Sequence, residues 1–331
     1  MPRRLLPVYG LLMGLAAGIA VLALLLGPSA PGDPELERTL LGLRATRVGA
    51  AFLAGAALAV GGAVVQGLFR NPLVSPSILG TTGGAMLGGQ MALLGFAALP
   101  ALRNLPYLGP HMILPVGSLL GAELALLVLL AFVRTRSDNL ALLLTGFILS
   151  SLFLSLGGFV TSLAQDSWDL ARAVVNFTLG GVGGAGRRQV LLAAPLVVVG
   201  IAATWAWGRH LDLLLSGEDE AAAFGVDVTL ARRWLTVWVA ILTGAAVSVG
   251  GNVIFTGLVV PHALRPFVGV QHRRLIPAAA LAGGAFVVAC DILARLAPTR
   301  SEIPLGVVTG IIGAPVFLGL LRSGRRRLAH G

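Results

Sequence analysis

The stretch VGAAFLAGAALAVGGAVVQGL, from Val48 to Leu68, contains no charged residue and consists largely of alanine, glycine, valine and leucine. A run of about 20 apolar residues is long enough to cross a hydrocarbon layer about 30 Å thick as an α-helix. Its many small residues would let neighbouring helices approach closely. The stretch therefore predicts a membrane-spanning helix in a bundle of similar helices.

The composition of the whole chain agrees with this prediction. Of its 331 residues, 56% are apolar and only 11% are charged, and the mean hydropathy is +0.90. A soluble domain carries roughly a quarter charged residues. The apolar runs are continuous, whereas the strands of a porin-like barrel would alternate. We therefore predict an all-α polytopic membrane protein, with a single transmembrane domain over residues 1–331.

The lengths of the apolar runs predict ten spans. The eighth is interrupted by Pro261 and Pro266, and the first is interpreted as a retained span rather than a signal peptide. The polar segment WDLARAVVNFTLGG, too short to span, is predicted to form a short helix that lies at the outer surface or dips back into the membrane. The predicted spans lie near 8–27, 45–68, 74–98, 112–133, 139–163, 189–208, 232–252, 254–270, 275–297 and 304–321.

The basic residues indicate how the bundle is oriented. All 24 are arginines, and most lie between the apolar runs, which is typical of topology signals rather than of a nucleic-acid-binding stripe. The side that holds the termini receives 14 of them and the opposite side 9, so both termini are predicted to be cytoplasmic. The single cysteine, Cys290, excludes an internal disulfide and is predicted to be a buried core residue.

An acidic segment, LLLSGEDEAAAFGVDV from Leu213 to Val228, interrupts this pattern. It lies in the predicted cytoplasmic loop 209–231, between spans six and seven. Acidic residues at 218–220 suit the first turn of a short helix, and Gly225 suits its end. The spacing leaves two interpretations open, a solvated acidic loop or a docking element for another protein. An acidic loop runs against the positive-inside trend, which favours docking.

No motif for covalent chemistry is present. The chain has no metalloprotease, Walker A or nucleophile-elbow motif, and its five histidines are scattered. We therefore predict no metal site and no bound cofactor. A path through the membrane is the simplest interpretation, and a membrane enzyme ranks last.

Four stretches, taken together, carry a resemblance to a known family. They are Leu43–Gly80, Leu213–Val228, FTGLVVPHALRPFVGVQHRRLIPAAALAGG at Phe255–Gly284, and DILARLAPTRSEIPLGVVTGIIGAPVFLGLL at Asp291–Leu321. The chain resembles the FecCD/BtuC-type permeases, the membrane subunits of bacterial ABC importers of type II. The resemblance implies a homodimer of ten-helix subunits in the inner membrane lipid, two cytoplasmic ATPase subunits that use ATP and Mg, and a periplasmic binding protein.

The same resemblance implies roles for particular residues. The coupling helix, which would sit in a groove on each ATPase, corresponds to Glu218, Asp219, Glu220, Ala221, Ala222 and Gly225. The arginines that would dock the binding protein are Arg44, Arg47 and Arg295, and snorkelling at a helix end is their alternative. The cytoplasmic gate corresponds to Asn71, Leu73, Asp138 and Asn139.

The resemblance implies an iron chelate, either a ferric siderophore or haem, as the first expectation for the cargo. Cobalamin follows, and an oxyanion such as molybdate is a further alternative. His262 is interpreted as a structural residue that caps broken helix backbone rather than as a haem ligand. The rival class is an ion-gradient-driven transporter, which would need an ionisable residue deep in a span. The candidates for that residue are Glu123, His262, Arg265 and Asp291.

Overall fold

A computed structural model describes residues 5–99, 110–132, 139–297 and 302–328. In these ranges the chain forms α-helices, with short 3₁₀ turns at Pro76–Leu79 and Ala164–Asp166. Numbered in chain order, the described α-helices are α1 (Leu5–Leu25), α2 (Pro34–Leu68), α3 (Thr81–Ala98), α4 (Pro110–Phe132), α5 (Asn139–Leu163), α6 (Trp168–Leu179), α7 (Arg187–Ala206), α8 (Gly208–Leu214), α9 (Glu218–Ala223), α10 (Val228–Gly250), α11 (Thr256–Val268), α12 (His272–Leu296) and α13 (Leu305–Leu328).

The helices confirm the predicted all-α membrane architecture. Among the described residues, seven helices are long and apolar enough to cross a bilayer, namely α1, α2, α4, α5, α7, α10 and α12. The bounds of α5 coincide with the predicted span 139–163. The other three predicted spans correspond to α3, α11 and α13, and α6 forms where the short outer helix is predicted.

Helix α2 begins at Pro34, well before the predicted position 45. Asp33 caps it, because its side chain accepts hydrogen bonds from the backbone N–H groups of Glu35 and Leu36, both at 3.0 Å. Proline at the first helical position and glutamates in the first turn also favour a helix start here. These polar signals extend the helix beyond its apolar run, which the length rule does not detect.

Helix α2 is the centre of the bundle. Every residue from 54 to 68 is buried, and α7, α10, α11 and α12 pack around it. Two crossings are backbone to backbone: a Cβ on Gly55 would lie 2.7 Å from the carbonyl carbon of Gly283, and one on Gly62 would lie 2.6 Å from Cα of Gly257. The close packing predicted from the small residues is therefore confirmed.

Helix α11 is a half-length helix that starts inside the bundle. It begins at Thr256, directly after Phe255, whose φ of 64° turns the chain sharply. Its 13 residues rise only about 20 Å, less than the bilayer core. Nε2 of Gln66 in α2 lies 3.3 Å from the carbonyl of Gly257, near the point where the helix starts. The predicted eighth span, 254–270, is thus only partly helical.

The bundle has two chemically distinct ends. At one end, Arg47 in α2 contacts Asp291 in α12, and we call it the arginine end because Arg44 and Arg295 also lie there. At the other, the last turn of α2 meets the first turn of α12 and the segment leading to α9, and we call it the acidic end. Tyr9 donates a hydrogen bond to the carbonyl of Arg274, so α1 begins at the acidic end.

Candidate functional site

The acidic segment forms the short helix α9 at the acidic end. Gly217 precedes it with φ +143°, and Gly225 follows it with φ +81°, a conformation that glycine adopts readily. The N–H of Gly225 binds the carbonyl of Ala222 at 2.9 Å, and that of Val226 binds Ala221 at 3.0 Å. This pair of bonds is a Schellman motif, which ends the helix. The predicted helix start and stop are confirmed.

The exposure of α9 divides its residues into an anchor and an outer surface. Ala221 is fully buried in the core, while Asp219, Glu220, Ala222 and Gly225 are exposed. Glu218 is only half-buried, and its carboxylate forms an ion pair with Arg232 in α10. The helix is thus fixed on one side and presents carboxylates and small residues on the other.

Phe224 adds an apolar tip that the sequence analysis did not single out. Its side chain is 74% exposed, at the C-terminal end of α9 between the acidic turn and Gly225. We define the coupling surface as Asp219, Glu220, Ala222, Phe224 and Gly225.

At the arginine end, Arg47 is held by two carboxylates. Its guanidinium donates to Asp291 at 2.9–3.1 Å and to both oxygens of Glu302 at 2.8 Å. Bidentate arginine–carboxylate pairs of this kind are the strong ion pairs in proteins. Asp291 is 2% exposed at its side chain and Glu302 is 57% exposed. The hydrogen bonds from Arg47 lower the pKa of the Glu302 carboxyl below its usual value.

Arg44 and Arg295 both point toward the end of α1. Arg44 donates to the carbonyls of Leu24 and Pro28, and Arg295 donates to those of Ala23 and Leu26. The last carbonyls of a helix lack partners within it and attract cations. These two arginines therefore fix α1 to the bundle.

The three arginines predicted to dock a binding protein are thus engaged within the chain. Their side chains are 9% (Arg44), 17% (Arg47) and 13% (Arg295) exposed. Glu302 and Asp291 are the partners that the docking prediction did not include. The docking role stays a prediction. Within the part of the chain that the structure describes, Arg47 is the one of the three that pairs with a largely exposed carboxylate.

A cavity of about 570 Å³ opens beside this cluster. Residues of α2, α3, α4, α6, α7, α10, α12 and α13 line it, and its wall combines charged and amide side chains with a glycine-rich segment. Its lining includes Arg47, Arg172, Asn176, Asp291, Glu302 and the segment 180–184.

The loop after α2 contains two of the predicted gate residues at the acidic end. Arg70 adopts φ +50° at the close of a second Schellman motif, in which Asn71 N–H binds the carbonyl of Gln66 at 3.1 Å. Oδ1 of Asn71 accepts from the N–H of Leu73 at 3.0 Å, and Leu73 is 45% exposed. The other two, Asp138 and the side chain of Asn139, lie outside the described residues.

Of the candidates for a gradient-driven transporter, Glu123, His262 and Arg265 each have a buried polar atom without a hydrogen-bond partner among the described residues. The His262 ring stands edge-on to Phe317 at 6.1 Å between ring centroids. Its Nδ1 is the unpartnered atom, so no cap of helix backbone by this nitrogen is present among the described residues.

The described helices form a multi-pass bundle with an exposed acidic helix at one end, which is the arrangement expected for a membrane permease. A family model for the FecCD transport family matches residues 7–323. The chain belongs to the FecCD transport family, as the sequence resemblance indicated.

Individual relatives agree with this assignment. The chain is 37% identical over 93% of its length to the cobalamin import system permease protein BtuC of Halobacterium salinarum, covering 81% of that protein. It is also 37% identical, over 87% of its length and 84% of the relative, to the hemin transport system permease protein HmuU of Yersinia pestis. A solved inward-facing conformation of a proposed metal-chelate type ABC transporter superposes with a TM-score of 0.83 at 28% identity, over 96% of this chain and 99% of that one.

Proposed function

We propose that the chain is the transmembrane permease subunit of an ATP-driven importer, and that it moves an iron chelate, a ferric siderophore or haem, from the periplasm to the cytoplasm. The observation that carries this proposal is the coupling surface. An exposed aromatic side chain among carboxylates, on a helix anchored by Ala221, has the composition of an interface anchor. The partner would be an ATPase subunit that binds ATP and Mg, while this chain binds no cofactor.

The two ends of the bundle then face different compartments. The acidic end would face the cytoplasm, where ATP is available, and the arginine end the periplasm, in the bacterial inner membrane. The arginine count of 14 against 9 supports this orientation, in which both termini would lie in the cytoplasm. Two copies of the chain, two ATPases and one binding protein would form the complete importer, with the cargo passing between the copies.

At the periplasmic face, we assign docking of the binding protein to Arg47, with Arg44 and Arg295 positioning the end of α1 beside it. Glu302 supports the assignment because its exposed carboxylate already accepts two hydrogen bonds from the Arg47 guanidinium. A carboxylate of the binding protein would meet the same donors. At the cytoplasmic face, Asn71 and Leu73, with Asp138 and Asn139, would form the gate.

Cobalamin is the alternative cargo. The relative that matches 93% of this chain is a cobalamin import permease, and the haem permease matches with the same identity. The two cargoes are therefore equally supported by the relatives, and a transport assay must distinguish them.

The first experiment tests the partner. Asp219→Arg with Glu220→Arg reverses two exposed charges of the coupling surface, and we expect it to abolish both association with the ATPase and uptake while the bundle stays folded. Glu35→Arg is the matched control, because Glu35 is also an exposed acid in a helix first turn but lies at the arginine end. Normal ATPase association in the double variant would reject the docking role.

The second experiment tests energy source and cargo. Proteoliposomes that contain the complete importer are supplied with a ferric siderophore, haem or cobalamin, with ATP inside or absent, and with or without an uncoupler. We expect uptake of one of the two iron chelates that requires ATP and ignores the uncoupler. Uptake of cobalamin alone would establish the alternative, and uptake abolished by the uncoupler would indicate an ion-gradient-driven transporter.

A further inference from the structure

The first turn of α12 receives its cap from a different helix. The carboxylate of Asp212 in α8 accepts the backbone N–H of His272 at 2.6 Å and lies 2.9 Å from Nδ1 of the same residue. Because an ionised carboxylate only accepts, Nδ1 must carry the proton in this contact. Gln271, at the N-cap position, makes no capping bond with its own side chain. Asp212 therefore supplies the negative group that the start of α12 needs.

The opposite edge of the His272 ring lies on the backbone of α2. A Cβ on Gly67 would be 2.7 Å from Cε1 of the ring, so only glycine fits at this position. The ring is 1% exposed, and its Nε2 has no hydrogen-bond partner among the described residues. The contact with α2 is therefore steric, and the position of the ring fixes how closely the end of α2 can approach α12.

Gly67 lies directly before the loop that holds the predicted gate residues. The Schellman motif that ends α2 runs from Gln66 to Asn71 and includes the carbonyl of Gly67, which accepts from the N–H of Arg70 at 3.2 Å. These hydrogen bonds connect the end of α2 rigidly to the loop, so a displacement of Gly67 would also displace the loop.

Asp212 lies directly before the coupling surface. Helix α8 ends at Leu214 and α9 starts at Glu218, and the buried side chains of Leu211 and Leu214 hold α8 against the core. The neighbouring residue Arg273 is held by α7, since Nε1 of Trp205 donates a hydrogen bond to its carbonyl at 3.0 Å. These hydrogen bonds attach the first turn of α12 to the segment that leads to α9, so the two would move together.

We propose that His272 is a positioning residue that transmits displacement of the coupling surface to the loop after α2. Asp212 binds one edge of the imidazole through a hydrogen bond, and Gly67 packs against the other edge. A shift of α8 would therefore move the ring, and the ring would move the end of α2. The inference rests on the proposed function, because it requires a partner that displaces α9.

Two substitutions separate the hydrogen bond to Asp212 from the steric contact with Gly67. His272→Asn keeps a donor where Nδ1 lies and therefore keeps the bond to Asp212, but it removes the ring edge that touches Gly67. His272→Phe keeps a ring against Gly67 but removes the bond to Asp212. If His272 served only to cap α12, His272→Asn would behave as the parent does.

The readout is the reactivity of the segment that connects α2 to α3, followed by maleimide labelling of Ser77→Cys, in the 3₁₀ turn directly after the loop, in a Cys290→Ala background. Ser77 is exposed, whereas Cys290 is buried. In the complete importer we expect trapping of the ATPase as its Mg-ADP–vanadate complex to change the labelling rate in the parent. Both His272 variants should still bind the ATPase and hydrolyse ATP, but the nucleotide-dependent change should disappear. Since couplings between sites are worth about 5- to 150-fold, uptake per ATP should fall about tenfold or more.

Each outcome bears on the inference. It is overturned if His272→Asn keeps the nucleotide-dependent change and normal uptake per ATP, if the parent loop shows no nucleotide response, or if both variants lose ATPase association, which would indicate a structural role alone. If the parent chain itself binds no ATPase, the proposed function fails. That result is separate, because it is obtained without any change at His272.

Discussion

Substitution of Asp291 tests whether the arginine end is held by a buried ion pair. The Asp291 side chain is 2% exposed, and its oxygens pair with Arg47 at 2.9 Å and with Arg295 at 3.2 Å. Asp291→Ala would leave two largely buried guanidinium groups without their shared anion. Removing one partner of a buried pair costs about 3–5 kcal/mol, and we expect about 3 kcal/mol because both arginines keep other partners.

These remaining partners are the reason why we expect a loss of stability at the lower end of that range. Arg47 retains Glu302, and Arg295 retains the carbonyls at the end of α1. Glu302→Gln is the matched control, since Glu302 pairs with the same guanidinium but is 57% exposed at its side chain. An exposed pair contributes about 1 kcal/mol or less, so we expect a much smaller loss for this control.

The assay is the free energy of unfolding of the purified chain in mixed micelles, from denaturant titrations followed by circular dichroism. A loss below about 1 kcal/mol for Asp291→Ala, the range of exposed pairs, would refute the idea that burial makes this pair important. So would a larger loss for Glu302→Gln than for Asp291→Ala. Arg47→Met combined with Asp291→Leu should recover part of the loss, because it removes the Arg47 cation together with its anion, although Arg295 still loses its carboxylate.

Three further predictions follow from local geometry. Phe224→Ala should weaken ATPase binding by about 2 kcal/mol, roughly 30-fold, as for an aromatic interface anchor, and leave the fold intact because the side chain is 74% exposed; an unchanged affinity in a titration would contradict this. Gly62→Ala should lower thermal stability by about 1–3 kcal/mol through overpacking, since its Cβ would lie 2.6 Å from Cα of Gly257, whereas Gly10→Ala, with open space around it, should not. The depressed pKa of Glu302 means that its ion pair stabilises the fold above the ordinary glutamate pKa, and that this contribution is lost as the pH falls through the lowered value. An acid titration of stability should therefore differ between the parent and Glu302→Gln at neutral pH and converge in strong acid; identical curves throughout would argue against a role for the pair.

The features that depend on neighbouring residues, such as the start and end of a helix, could be predicted from the sequence. The apolar run at 139–163 gives both bounds of α5, because the transition from polar to apolar residues coincides with the ends of the helix. The acidic turn and Gly225 give α9 for a similar reason, since capping and helix termination act within a few residues. The small residues of α2 predicted close packing, although not which helices would cross it.

Contacts between distant residues could not be predicted from the sequence. Arg47 and Asp291 are separated by 244 positions, and Asp212 and His272 by 60. A span looks equally apolar whichever neighbour it packs against, so periodicity and length leave the partner open. Glu302 was missed for this reason, and Phe224 was missed because its exposure depends on which side of α9 the core holds.

The sequence by itself determined the solvent, the helices and the acidic segment, because hydrophobic transfer and helix capping depend on residues that are close along the chain. Only the tertiary structure decided where the arginines point and which carboxylates hold them, and it alone placed the ring of His272 between Asp212 and Gly67. Those outcomes depend on how antiparallel helices align at their ends, where a few ångströms determine whether two charges meet inside the protein or face water.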